Sequence, residues 1–568
     1  MGERVQIAKG HEAVANMDRK KRFKYVLIAE GALIGLITGA LVSVFRLMLS
    51  GADVLRGRLA DYVHSGGATA ALVCALILFA IAIAVTCLLG WEPDIAGSGI
   101  PQAEAELRGQ KDMKWWRVIA AKMAGCALAI GGGLALGREG PSIQLGSMVG
   151  KGFARAGHRL LTEERLLITC GAGAGLSAAF GAPLAGALFS LEELHRNFSA
   201  EVLLTTMAAS VAGDFVAANV LGLEPVFGLE IWHGLPLSLY WAVALLGLVL
   251  GLLGAVYNRS IEFMQNSFER FGKAFGAFGC RLLGKNESVI KDGLHPTVLA
   301  SRLARGGRML AVFFLAYLLF FVYPEALGSG GALVGRISRG EFALGALAIL
   351  LMIKFVFSTA SFGSGAPGGI FLPLLVLGAV TGGLFCRLLG AAGIDQSYIG
   401  AFVVISMAGA FAAIVRAPVT GVVLITEMTG DFTSLLPLVL TSLIAYVTAE
   451  ALGTKPIYTQ LLERSSKSRS AAAARTGSYM GALSALHDRK TVIEAEVDVG
   501  SRMDGGHVSD FGLPLGTLIV SVTRGGIEII PDGNTILRAG DELEILTRES
   551  DLQDVESMID GACRVITN

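Results

Sequence analysis

Two stretches of this 568-residue chain, more than 230 residues apart, follow one pattern. Gly137-Arg138-Glu139-Gly140-Pro141 leads into Ser142-Ile143-Gln144-Leu145-Gly146 and then Gly150, and Gly369-Ile370-Phe371-Leu372-Pro373 leads into Leu374-Leu375-Val376-Leu377-Gly378 and then Gly382. Downstream the match resumes. Ala182-Pro183-Leu184-Ala185-Gly186 ends at Glu192, and Ala417-Pro418-Val419-Thr420-Gly421 ends at Glu427. Gly/Pro-interrupted apolar segments at corresponding places in two halves point to the binding site of a transporter built from repeats.

Only 17% of residues are charged, mean hydropathy is +0.61, and many apolar runs approach the ~20 residues that cross a bilayer. These include Tyr25 to Leu49, Ala70 to Leu89, Val118 to Leu136, Leu237 to Val256, Met309 to Val322 and Leu435 to Leu452. The expectation is an all-α polytopic membrane protein. A net charge of zero says nothing of nucleic acid, and no nucleic-acid partner is expected. Charge distribution is more useful. Residues 1–24 carry seven Lys or Arg and 265–308 eight, whereas Leu221 to Pro236 has none. By the positive-inside rule both termini are cytoplasmic and the loop near 221–236 faces out, in a cell inner (plasma) membrane. The halves, about 25–225 and 235–455, then start on opposite sides, giving an inverted-topology repeat. A parallel duplication would put the second half's start on the side its charge does not fit.

The seven cysteines lie mostly in apolar segments without a C-x-x-C, and the eight histidines are scattered, so neither metal site nor disulfide frame is expected. No cofactor is expected. No nucleophile–base set is visible, which argues against an enzyme. The lone G-x-G-x-x-G at Gly363 to Gly368 has no βαβ context, so it is not read as a dinucleotide site.

Gly97-Ser98-Gly99-Ile100-Pro101 is a third break. Pro is favoured in the first turn of a helix, so each Gly-x-x-x-Pro unit reads as a loop opening a helix. Unpaired N–H groups and the helix dipole make such openings anion sites. Backbone that leaves the helix at membrane depth must be buried in protein or line a polar cavity. Glu139 stands inside one opening, and an ionisable group at that depth is functional by default. The alternative is an ion pair with Arg138, although neighbours at a helix start usually point apart. Glu193, beside Glu192, ends an apolar stretch; its alternative role is a helix end meeting water. In the second half Phe371 stands for Glu139 and Glu427 for Glu192, so the titrating group is asymmetric while the anion-binding backbone is duplicated. Lys122, Lys354 and Arg416 either attract anions or pair with a carboxylate such as Glu427 or Glu104. No role follows for Glu30 or Asp214.

These motifs, with Lys455-Pro456-Ile457-Tyr458 after the last apolar run, resemble the CLC family of chloride channels and chloride/proton exchangers over about residues 20–460. The resemblance implies a homodimer with one ion pathway per subunit, made of broken, tilted helices. It implies a central chloride site with Ser98 and Tyr458 hydroxyls and the Ile370 and Phe371 N–H groups as donors, with Arg138 and Gly140 beside them. Glu139 resembles the gating and proton glutamate. Glu193 falls where exchangers of the family keep an internal proton-transfer glutamate, which favours antiport over a passive channel. Ser98 favours chloride over nitrate. Gln102 departs from the Glu common in the family, with a small effect expected.

The domain layout expected is a basic N-terminus (1–24), a transmembrane domain (25–458), a Ser/Ala/Arg-rich linker (459–481) and a β-rich α+β tail (482–568). In the tail, strands are expected at Ile493 to Val497, Leu518 to Val522, Ile527 to Ile530 and Glu542 to Leu546, and a helix near Asp551 to Ile559. The phrase Pro531-Asp532-Gly533-Asn534-Thr535 to Gly540-Asp541 resembles the TrkA-C (RCK C-terminal) domain. That implies a regulatory module for a cyclic dinucleotide or other small ligand; a purely structural dimerising tail is the alternative.

Overall fold

The computed structural model describes residues 2–195, 200–223, 225–229, 234–282, 298–465, 490–498, 500–514, 516–524, 527–548 and 552–563. Among these, eight helices are long and apolar enough to cross a membrane. The chain forms two units, 1–464 and 465–568.

The first unit is two copies of one series of helices. The first copy runs α1 (Gly2–Ser65), α2 (Gly67–Trp91), α3 (Ile100–Leu107), α4 (Trp115–Gly131), α5 (Glu139–Ala156), α6 (Leu161–Phe180), α7 (Pro183–Phe189) and α8 (Ala200–Leu221). The second runs α9 (Tyr240–Leu282), α10 (Val298–Val322), α11 (Gly331–Ser338), α12 (Leu344–Gly363), α13 (Phe371–Ala391), α14 (Ile399–Val415), α15 (Pro418–Thr429) and α16 (Leu435–Ala451). The breaks fall where the glycines and prolines are. The apolar run expected from Val118 to Leu136 leaves the helix at Gly132. The short helices α3 and α11 start from glycines held at φ values of 97° (Gly99) and 84° (Gly330), which side chains resist. The most apolar windows of α13 and α14 are 83% and 94% buried, so protein rather than lipid surrounds these helices and they form the interior.

A last helix, α17, spans residues 457–465. It corrects the expectation that the linker starts at Thr459: this polar stretch stays helical because it lies along α9. There Gln460 donates to Glu262 (3.1 Å) and Arg464 pairs with Glu269 (3.0 Å). The rest of the expected linker, 466–481, lies outside the described residues.

In the second unit β1 (Lys490–Glu496), β2 (Leu518–Arg524), β3 (Ile527–Ile529) and β4 (Glu542–Arg548) form an antiparallel sheet in the order β1-β4-β2-β3. The helix α18 (Leu552–Cys563) completes a core containing Ile519, Leu543, Ile545, Val555 and Ile559. β2 and β4 outrun their apolar alternation by two residues each, because pairing to a neighbour continues past the last core side chain. Arg524 from the end of β2 grips the buried Asp541 with two bonds of 2.7 and 2.6 Å.

Candidate anion and proton site

The helix openings converge as the glycine pattern requires. Gly137 N–H donates to the Gly369 carbonyl (2.6 Å) and Gly369 N–H donates back (2.8 Å), an antiparallel bridge between equivalent residues of the two halves. α5 and α13 open two residues beyond this bridge, at Glu139 and Phe371. The Gly97 carbonyl accepts from Gly368 N–H (3.0 Å), and Gly97 N–H donates to Ala366 (3.2 Å). The broken backbone is thus satisfied from the opposite half.

Around this knot several buried polar atoms have no hydrogen-bond partner among the described residues. They are Ser98 Oγ, Tyr458 Oη and Glu139 Oε1. Ser98 is 2% exposed, and Glu139 and Tyr458 are fully buried. A buried hydroxyl left unpaired costs about 1–3 kcal/mol unless a ligand takes it up, and an anion is the ligand that two hydroxyls and a helix N-terminus suit. Gly140 has to be glycine here, since a Cβ would lie 2.3 Å from Ser98 Oγ. The N–H groups of Ile370 and Phe371 open α13, where the helix itself supplies no acceptor. Phe371 is wedged between Phe180, Phe189 and Phe411, with centroids at 5.4, 6.1 and 4.7 Å, and Phe189 meets Tyr458 at 6.5 Å.

Glu139 is held at the opening of α13. Its Oε2 accepts from Leu372 N–H (3.3 Å), a donor the sequence reading passed over. Its Oε1 lies 3.9 Å from Arg138 Nε, so the two neighbours do not point apart as expected. Arg138 is the N-cap residue of α5, already in right-handed helical geometry, and its guanidinium turns back toward Glu139. Both Glu139 and Glu193 lie within electrostatic range of the Tyr458 hydroxyl.

Glu193 is 6% exposed and sits in a π-helical turn, Ser190–His195, that follows α7. It is a buried group, which removes the reading of a helix end meeting water. Glu192, in the same turn, crosses to the second half: its Oε2 accepts from Thr420 N–H (3.0 Å) and Thr420 Oγ1 (2.6 Å), capping α15. Glu427 does the reverse, accepting from Leu184 and Ala185 N–H (3.0 and 2.8 Å) at the start of α7.

Among the described residues Lys122 and Lys354 make no ion pair with a carboxylate, whereas Arg416 Nε lies 3.9 Å from Glu450 Oε2, a partner other than the two named as examples. Lys122 Nζ donates to the Ile95 and Gly97 carbonyls (2.9 and 2.7 Å), and Lys354 Nζ to those of Ala326 and Gly328 (2.8 and 2.7 Å). Each lysine ties down a Gly-Ser-Gly loop, 97–99 or 328–330. Arg416 donates to the Tyr446 carbonyl (2.6 Å) and to Thr454 (3.0 and 2.9 Å). Those loops lack carboxylates but expose several carbonyls, and a protonated amine has donors for more than one. Gln102 donates to the Ala96 carbonyl (2.8 Å), and Glu30 pairs with Arg159. Asp214 lies within electrostatic range of Arg46.

A family model for voltage-gated chloride channels matches residues 80–450, and one for the TrkA-C domain matches residues 492–560. The H(+)/Cl(-) exchange transporter ClcA of Vibrio cholerae is 35% identical over 383 residues, which is 66% of this chain and 76% of the relative. That of Citrobacter koseri is 30% identical over 471 residues, 81% of this chain and 93% of the relative. The crystal structure of a slow cyanobacterial Cl-/H+ antiporter is similar with a TM-score of 0.68 at 30% identity, over 77% of this chain and 97% of that one. A eukaryotic CLC transporter shares the fold with a TM-score of 0.59 at 22% identity, over 78% and 74%. The chain belongs to the voltage-gated chloride channel family, the CLC proteins, and carries a TrkA-C domain behind its membrane unit.

Proposed function

We propose that this protein exchanges chloride for protons across a cell inner membrane, as a homodimer with both termini in the cytoplasm. The observation that carries the reading is a buried carboxylate, Glu139, at the same helix openings as the unpaired Ser98 hydroxyl, with Glu139 and a second buried carboxylate, Glu193, both within electrostatic range of the unpaired Tyr458 hydroxyl. Chloride accepts from Ser98 Oγ, Tyr458 Oη and the first N–H groups of α13. The Glu139 carboxylate competes with chloride for the opening of α13, where Leu372 N–H now serves it. Protonation removes its charge, weakens that bond and frees the position for chloride. Arg138 flanks this outer position and Gly140 permits the approach of the Ser98 loop. Glu193 delivers protons from the inner side, so the two ions share the outer route and separate inside.

Reconstituted vesicles test this. A chloride gradient should drive uphill proton movement in the wild type. Glu139→Gln should keep chloride movement, lose proton movement and lose pH dependence; Glu193→Gln should lose proton movement alone. Chloride flux without protons in the wild type would make the protein a passive channel. For the tail, the TrkA-C match supports a small-ligand module, with a cyclic dinucleotide as the first probe; calorimetry with such a probe tests it.

A further inference from the structure

The two halves differ at one turn. α7 and α15 start at Pro183 and Pro418, and Glu192 and Glu427 stand at the same offset from those prolines. Yet α15 remains α-helical to Thr429, whereas α7 gives way to the π-helical turn Ser190–His195. Where the first half has Glu193 the second has the buried Met428. π turns are rare and occur mostly at functional sites, so outside support is expected here. Inside its own half the turn has a hydroxyl bond from Ser190 to the Gly186 carbonyl (3.0 Å) and a contact of His195 Nδ1 with Thr169 Oγ1 (3.2 Å). The bonds between Glu192 and Thr420 fasten its middle to the other half. Consecutive side chains of a helical turn stand at a fixed angle to each other, so fixing the azimuth of Glu192 fixes that of Glu193.

We infer that Glu192 is a positioning residue for proton transfer: by capping α15 it holds the π turn in the register that keeps Glu193 buried and within range of Tyr458. This rests on the antiport reading above. Glu427 makes the mirror-related cap, but the residue next to it is Met428, so the same bond there supports only packing. The carboxylate of Glu192 acts as a hydrogen-bond acceptor, not as a proton carrier. An amide oxygen therefore replaces it.

The test measures chloride and proton fluxes of the full-length protein in vesicles. Glu192→Ala should keep chloride turnover while the proton-to-chloride ratio falls about tenfold, the equivalent of one lost hydrogen bond to a charged group. Glu192→Gln should stay near the wild-type ratio, since its amide oxygen still accepts from Thr420. Glu427→Ala should reduce thermal stability but leave the ratio intact. Should Glu192→Ala fail to fold, Thr420→Val removes only the hydroxyl donor and should lower the ratio by a smaller factor. An unchanged ratio in Glu192→Ala, or in Thr420→Val if that variant has to stand in for it, overturns the inference. So does a Gln variant as uncoupled as Ala, which would make Glu192 itself a proton carrier, or a Glu427→Ala variant that uncouples equally. If Glu193→Gln still moves protons like the wild type, the underlying proton route fails instead.

Discussion

Replacing Gly137 by Ala tests where the Glu139 carboxylate rests. An ideal Cβ on residue 137 lies 2.3 Å from Glu139 Oε2, 3.1 Å from Leu372 N and 3.2 Å from Pro373 Cδ. A carbon–oxygen contact needs about 3.3 Å, so the carboxylate has to retreat by about 1 Å. That movement breaks its bond to Leu372 N–H, already 3.3 Å long. The carboxylate is the mobile end of a side chain, and residue 137 is not in the left-handed region, so the fold tolerates the alanine. Losing a hydrogen bond to a charged group costs about 1.5–3 kcal/mol, which shifts the carboxylate out of its seat by roughly ten- to 150-fold. Gly137→Ala should therefore behave like Glu139→Gln, with chloride moving, proton coupling falling, and an added anion at the vacated position. Bromide anomalous diffraction and paired flux measurements read both effects. Gly369→Ala is the control, because the atoms nearest its Cβ are Gly140 N, the Gly137 carbonyl oxygen and Pro141 Cδ at 3.2–3.3 Å, and none is a carboxylate. A Gly137→Ala protein with wild-type coupling and unchanged anion occupancy refutes the reasoning.

Ser98→Pro or Tyr458→Ala should change the chloride-to-nitrate preference in flux assays, because each removes a donor left unpaired by protein. Lys354→Met should lower thermal stability by about 2–5 kcal/mol through two stranded carbonyls; Lys122→Met should do the same and also weaken chloride binding by calorimetry, since its loop carries Ser98. Burial opposes charge on Asp541, but the Arg524 fork and the Arg538 N–H hold its carboxyl below the usual aspartate range. A lowered value means that this stabilisation is complete above the ordinary pKa and is lost as pH falls through the lowered one. Arg524→Met should therefore let the tail unfold at a less acid pH, read by proteolysis of the 490–563 region. Deleting Ser466 to Asn568 should leave dimer assembly and basal flux intact while removing any response to a tail ligand.

The helix openings and Glu139 were legible because a glycine–proline pattern is local, and the repeat doubled the signal. The second Gly-Ser-Gly loop escaped because Ala332 stands where Pro101 does, so a Gly-x-x-x-Pro template passes over it. The shared offset of Lys122 and Lys354 was the available clue, since each lies about 25 residues past its own loop. The caps made by Glu192 and Glu427 have no local signature, because their targets are 228 and more than 240 residues away. The π turn was likewise hidden. Neither Ser190-Leu191-Glu192-Glu193 nor Ile425-Thr426-Glu427-Met428 holds a glycine or proline to mark a change of helix type, and the turn takes its form while packed against α3 and α6.

The bridge between Gly137 and Gly369 also sets a schedule. Its first strand is synthesised 232 residues before its partner (369 − 137), a gap of roughly 10–50 s at ordinary translation speeds. Throughout that interval the nascent first half holds an open backbone segment inside the bilayer region with neither its partner nor water to satisfy it. The same is true of Gly97, which waits for Ala366 and Gly368. A polar cavity of the insertion machinery, or a delay in burying this segment, has to shelter it until the second half arrives. Biogenesis of this protein should therefore stall on truncations that end before residue 369, and recover once that glycine has left the ribosome.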